Sequence, residues 1–203
     1  MRLLTGMAVA AVLAGCAADQ NPDSSDIEVA AAAFVASGPP SMTLVTVVNN
    51  RTGAGGHTAL VVNGSQQVIF DPAGSFRDPR VVEKGDVLYG MTPGWVQAFK
   101  SAHARTTHHV VSQTVTVTQA QAEEALRLVR SNGSVAGAYC ANITSGILSE
   151  VDGFEGISRT FYPVKLMDQF AAYPNVRTQK YYENDEGDVI DAVTASQLAS
   201  SAG

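Results

Sequence analysis

The stretch Gly56-His57-Thr58-Ala59-Leu60-Val61-Val62-Asn63-Gly64-Ser65-Gln66-Gln67-Val68-Ile69-Phe70-Asp71-Pro72 decides how this chain folds. Two β-rich runs, His57 to Val62 and Gln67 to Asp71, flank the turn-forming cluster Asn63-Gly64-Ser65. This pattern predicts an antiparallel hairpin. With a three-residue loop centred on Gly64, His57 falls opposite Asp71 on one side of the sheet. A carboxylate facing an imidazole fixes its tautomer and stabilises its cation, which is what an orienting group does for a general base. A register shifted by one residue sets Phe70 or Pro72 opposite His57 instead, leaving a loop histidine and a turn aspartate.

Upstream, Met42 to Val48 is a β-branched run that reads as a first strand. Gly53-Ala54-Gly55-Gly56 then gives a flexible approach to His57 that leaves room for a ligand. Downstream, Gly94 to Ala104 suits a short helix, and His109 to Val117 alternates as a strand does. Thr118 and Gln121 form a capping-box pattern ahead of Ala122, Ala125, Leu126 and Val129 at helical spacing, with Asn132-Gly133 as the stop. A further helix is expected from Ala138 to Glu150, with Ile143, Ile147 and Val151 on one face, and Pro163 opens a short segment ending at Ala171. Strands come first and helices later, so the expected class is α+β: a small antiparallel sheet packed with helices.

The 203 residues are 45% hydrophobic and 16% charged, enough for one domain with a core. A net charge of −6, with no Lys/Arg cluster, argues against a phosphate-tracking surface, so no nucleic-acid partner is expected. At the start, Arg2 precedes an apolar run from Leu3 to Leu13, too short to span a bilayer, which takes about 20 apolar residues. The run ends in Leu13-Ala14-Gly15-Cys16, which resembles a bacterial lipobox; an ordinary secretory leader is the alternative. The resemblance implies cleavage before Cys16 and a lipid on its sulfur. The expected division is a signal peptide over 1–15, a lipid-anchored tether over 16–41, a folded domain over 42–182 and a flexible acidic, small-residue tail over 183–203. Such a protein faces the periplasm in the cell envelope. Ala17 and Ala18, in place of an acidic residue, favour the outer membrane.

Only two cysteines occur, Cys16 and Cys140, so a lipidated Cys16 leaves Cys140 without a partner. Such a thiol is either an inert core group beside Ile143 or one retained for chemistry. At the N-terminal turn of a helix, free N–H groups and the helix dipole lower a thiol pKa and stabilise an oxyanion. Small residues upstream (Gly133, Ala136, Gly137, Ala138) leave space for a carbonyl to approach. His103, His108 and His109 compete with His57 for a role, but their spacing matches no zinc pattern, and adjacent strand histidines face opposite ways. No metal or cofactor is expected.

Gly56-His57-Thr58-Ala59-Leu60-Val61-Val62, Val68-Ile69-Phe70-Asp71-Pro72-Ala73-Gly74 and Tyr139-Cys140-Ala141-Asn142-Ile143-Thr144 together resemble the circularly permuted branch of NlpC-type papain-like hydrolases. That branch includes the lecithin–retinol acyltransferase-like proteins and places the histidine strand before the nucleophile helix. The resemblance spans roughly 45–170. It implies a permuted papain-like architecture with Cys140 as nucleophile, His57 as base and Asp71 as orienting group. The chain departs from many members in having Tyr139, not Asn, before the cysteine. The function so implied is thiol-dependent cleavage of an amide, with peptidoglycan peptides as substrate, or of a lipid acyl ester. The rival readings are an inactive envelope binding or scaffolding lipoprotein of the same fold, and a thiol that links the chain to a partner.

Overall fold

The computed structural model describes residues 23–74 and 76–184. The expected signal peptide, Cys16 and the tail from 185 onward lie outside the described residues. The elements run α1 (Asp26–Ala31), β1 (Ser41–Asn49), β2 (Gly55–Asn63), β3 (Gln67–Phe70), β4 (Val82–Lys84), β5 (Val87–Tyr89), α2 (Pro93–His103), β6 (His108–Thr116), α3 (Gln119–Asn132), α4 (Cys140–Glu150), α5 (Pro163–Ala171) and β7 (Arg177–Tyr181). The class is α+β, with one seven-stranded sheet in the order β4-β5-β3-β2-β1-β6-β7, antiparallel throughout.

β1 lies inside this sheet, between β2 and β6, because its sequence suits burial on both faces. Met42 and Leu44 point one way, Val45 and Val47 the other, and all four are buried. The first face, with Leu60, Val62 and Phe70, packs under α3, α4 and α5 through Leu126, Val129, Ile147, Leu148, Leu166 and Phe170. The second face, with Ala59, Val61 and Ile69, packs against Phe99 and Ala102 of α2 and against Phe76 and Met91. The sheet is thus a central layer with helices on both sides. At about 25 cal/mol per Å² of apolar surface removed from water, these two clusters supply the main drive for folding.

The expected capping box at the start of α3 is present in both halves, Thr118 to the Gln121 backbone and Gln121 to the Thr118 backbone. The β2–β3 hairpin forms, but not in the expected register. Asn63 pairs with Gln67 and Leu60 with Phe70, two residues away from the His57–Asp71 pairing. The loop is Gly64-Ser65-Gln66, held from outside by α3: Glu123 accepts the Ser65 N–H through Oε1 and the Ser65 hydroxyl, at 2.9 Å, through Oε2. Side chains alternate with period two, so this shift keeps every residue on its expected face. His57 and Asp71 therefore still share a side of the sheet.

Other differences have local causes. α4 begins at Cys140, not Ala138, because Ala138 takes a left-handed backbone (φ 69°) that no α-helix continues through. The strands β4 and β5 are three residues each, too short to show a period. β7 is an exposed edge strand of largely polar sequence, RTQKY, which carries no apolar alternation and suits an edge that must resist further pairing. Within the expected tether, residues 23–40 lie on the domain: α1 buries Val29, the Gln67 N–H donates to the Phe34 carbonyl at 2.7 Å, and Asn63 Nδ2 donates to the Pro39 carbonyl at 3.1 Å. No helix among the described residues is long and apolar enough to cross a membrane.

Candidate active site

His57 sits near the start of β2, just past an irregularity where Val47 pairs with His57 but Val48 pairs with Gly55. The glycine approach is tightly packed here, since a Cβ on Gly55 would meet Pro163 Cβ at 2.6 Å and the Val164 nitrogen at 3.0 Å. By alternation with Ala59 and Val61, His57 faces the α2 side of the sheet, and there its ring stacks on His103 with centroids 5.5 Å apart. Cys140 comes from the other side, on α4. The two meet because the sheet has an opening beside them. Leu60↔Phe70 is the last pair of the β2–β3 ladder, so His57, Thr58 and Ala59 have no β3 neighbour. Through this gap the Cys140 sulfur reaches His57, and the Thr58 N–H, left unused by the ladder, approaches the sulfur.

His57 Nε2 and Asp71 Oδ1 are 2.6 Å apart, a short charge-assisted hydrogen bond in which the ring N–H donates. That contact occupies Nε2 and leaves Nδ1 outside the Asp71 bond. Asp71 is 4% exposed and Cys140 8%, so this chain of groups is largely withdrawn from water. Burial alone would drive His57 neutral, but the charge and hydrogen bond of Asp71, with those of Cys140, push its pKa up to about 10. Burial would likewise raise Asp71, yet the His57 charge and hydrogen bond, assisted by the Phe76 N–H, hold it below the usual carboxylate value. Burial would raise the Cys140 thiol too. The hydrogen bond and charge of His57, together with the Thr58 and Ala141 N–H groups, outweigh it and leave the thiol below its ordinary range. All three shifts act in one direction, favouring transfer of the Cys140 proton toward His57 with an ionised Asp71 behind it.

α4 supplies the Ala141 N–H because its N-cap, Tyr139, makes no side-chain cap bond, so first-turn donors stay free for the site. Tyr139 is turned outward and packs edge-on against Phe161, with centroids 5.3 Å apart; both rings are about half exposed beside the cysteine.

The three competing histidines part company. His109 Nδ1 lies 2.7 Å from Asn50 Oδ1 and its ring stacks on Tyr182, while His108 lies near Asn49 and Thr107. Only His103 reaches the site, as a neighbour of His57 and not as the rival that spacing suggested. Its Nδ1–H donates to the Phe99 carbonyl at 2.8 Å. Burial lowers its pKa to about 4, so the ring stays neutral. One nitrogen each of His57 and His103 and an oxygen of Asp71 lie within 4.8 Å of one another, the one such group among the described residues. A metal ion lies in the ring plane of each histidine that binds it, and here the stacked rings are only 9° from parallel. Two nearly parallel stacked rings direct their in-plane lone pairs along parallel planes and not toward a common point. Sequence reasoning had no signal for His103 in this role, because its contact with His57 depends on the packing of α2.

Two outcomes follow from this geometry. A Cβ at position 74 would overlap the Asp71 carboxylate, so Gly74→Ala should displace that group from His57 and slow Cys140 alkylation by roughly 100-fold, the scale of a 1 Å misplacement; a wild-type rate would contradict the assignment of Asp71. The lowered thiol pKa also sets a pH profile. Iodoacetamide labelling of Cys140 should persist below the ordinary thiol value of 9.0 and fall only as pH drops through the lowered value. It should not fall as pH rises through about 10, where His57 loses its proton but the thiolate remains. His57→Gln should move the midpoint upward, because burial then acts on the thiol unopposed.

No protein-family model matches the chain, and comparison with curated proteins and with solved structures yields no match.

Proposed function

We propose that the chain is a thiol hydrolase that cleaves an amide or ester through a covalent acyl-enzyme, with Cys140 as nucleophile, His57 as acid–base and Asp71 as the group that orients His57. The observation that carries this reading is the 2.6 Å His57–Asp71 bond on a ring that also interacts with the Cys140 thiol. The thiolate sulfur attacks the substrate carbonyl, forming a C–S bond while the π electrons move to oxygen. The Thr58 and Ala141 N–H groups that interact with the sulfur are the donors available to such an oxyanion. Collapse breaks the C–N or C–O bond, and His57 gives its proton to the leaving amine or alkoxide. His57 then takes a proton from water as the hydroxyl attacks the thioester, the C–S bond breaks, and the acid product leaves.

The chain order, histidine strand β2 before nucleophile helix α4, supports membership of the permuted NlpC-type branch and a permuted papain-like architecture. The lipobox-like Leu13-Ala14-Gly15-Cys16 supports a lipid-anchored, periplasm-facing protein, held through Cys16 in the outer membrane. In that compartment peptidoglycan stem peptides are the nearest pool of amides, with lipid or lipoprotein acyl groups second. A second reading, an envelope binding protein without turnover, is favoured by the half-exposed Tyr139 and Phe161 pair beside a cysteine only 8% exposed.

Incubation of the purified protein with peptidoglycan fragments and with an activated acyl ester, followed by mass spectrometry, separates these readings. The hydrolase reading expects products from one of the two, an acyl adduct on Cys140, none with Cys140→Ala, and a loss of about 100- to 10,000-fold with His57→Ala. Intact substrates with the wild-type protein, together with retained binding in Cys140→Ser, would establish the binding reading instead.

A further inference from the structure

The β4–β5 turn, Gly85-Asp86, touches both chain segments that feed the site. Asp86 Oδ2 accepts the Ala73 N–H at 2.8 Å and the Val135 N–H, also at 2.8 Å. The Asp86 carbonyl accepts the Asp71 N–H at 2.8 Å. Ala73 belongs to the turn that carries Asp71, and Val135 to the loop between α3 and Cys140. The backbones are also in contact: a Cβ on Gly85 would meet the Gly133 Cα at 3.2 Å. Both tethered segments contain an alanine in the left-handed region, Ala73 at φ 55° and Ala138 at φ 69°, a conformation that persists only where neighbours enforce it. On its outer side the turn is held by the N-terminal segment, where Asp23 Oδ1 accepts the Gly85 N–H at 2.8 Å and the Ser24 N–H donates to the Glu83 carbonyl at 2.9 Å.

We propose that Asp86 is a positioning residue for the Cys140 site: one carboxylate oxygen pins the Asp71 turn and the loop ahead of Cys140 to a common point. Without it the two segments are free to drift apart, His57 loses its fixed place between carboxylate and sulfur, and the thiolate loses its partner. Its effect on turnover rests on the hydrolase reading, whereas its effect on the thiol does not. His57 from β2 is the titratable group that faces Cys140, with Asp71 behind it and His103 of α2 stacked on its ring, so a change in thiol ionisation reports on this arrangement.

The turn allows the side chain to be tested apart from the backbone. Asp86 has φ 60°, a conformation glycine adopts freely and asparagine tolerates. Asp86→Gly therefore keeps the turn and removes the acceptor, and Asp86→Asn keeps an oxygen acceptor and removes the charge. The experiment uses the full chain, with thermal melting, the pH profile of iodoacetamide labelling at Cys140, and kcat and KM on the activated acyl ester. Asp86→Gly should melt cooperatively near the wild type, show a labelling midpoint shifted to higher pH, label on the order of 100-fold more slowly at neutral pH, and lose kcat with KM little changed. Asp86→Asn should stay near the wild type in all of these. A wild-type labelling profile in Asp86→Gly would overturn the proposal, as would equal damage in Asp86→Asn, or loss of folding in Asp86→Gly. A shifted labelling profile in Asp86→Gly, with no turnover of either the ester or the peptidoglycan fragments by the wild type, would uphold the positioning role while removing the hydrolase reading.

Discussion

A His57 ring held largely out of water between the Asp71 carboxylate and the Cys140 thiol, in surroundings that favour the charged form of all three, is the constraint around which the chain is arranged. Each of these charges would pay several kcal/mol to leave water alone. Together they repay that cost only if the hydrogen bonds are short and the remaining valences are filled. The 2.6 Å bond from His57 to Asp71, the Phe76 N–H on Asp71 and the Thr58 and Ala141 N–H groups at the sulfur meet that condition. The neutral His103 ring closes the back of the site without adding a competing charge, its own proton directed to the Phe99 carbonyl.

The sheet serves this arrangement by being incomplete. A β3 strand continued alongside His57 would consume the Thr58 N–H and separate the two helical layers. Because the ladder ends at Leu60↔Phe70, a residue from the α4 side reaches a ring that stacks on the α2 side. Both segments flanking the gap then leave regular structure through left-handed alanines, Ala73 and Ala138.

Much of this was legible in the sequence wherever one residue type meets one local need. The β-branched runs gave β1, β2 and β3, and the Thr118/Gln121 pair marked the start of α3. His57 and Asp71 were found through a register wrong by two residues, and the error was harmless because a strand's faces repeat every two. What escaped was whatever depends on packing at a distance. β7 has no apolar period because it is an exposed edge, and residues 23–40 looked like a tether because a few scattered hydrogen bonds and one buried side chain, Val29, hold them to the domain. His103 looked like a competitor of His57, and only the placement of α2 over β2 makes it a neighbour of that ring.

The charge state of the resting site is the claim on which the chemistry depends. Nitrogen-15 NMR of the ring of His57 in the full chain, followed across pH, measures it directly. Both ring nitrogens should be protonated at neutral pH and remain so until about 10, with Cys140→Ala lowering that value. A His57 that titrates near 6.5, unaffected by Cys140→Ala, would contradict the ion pair and the account built on it.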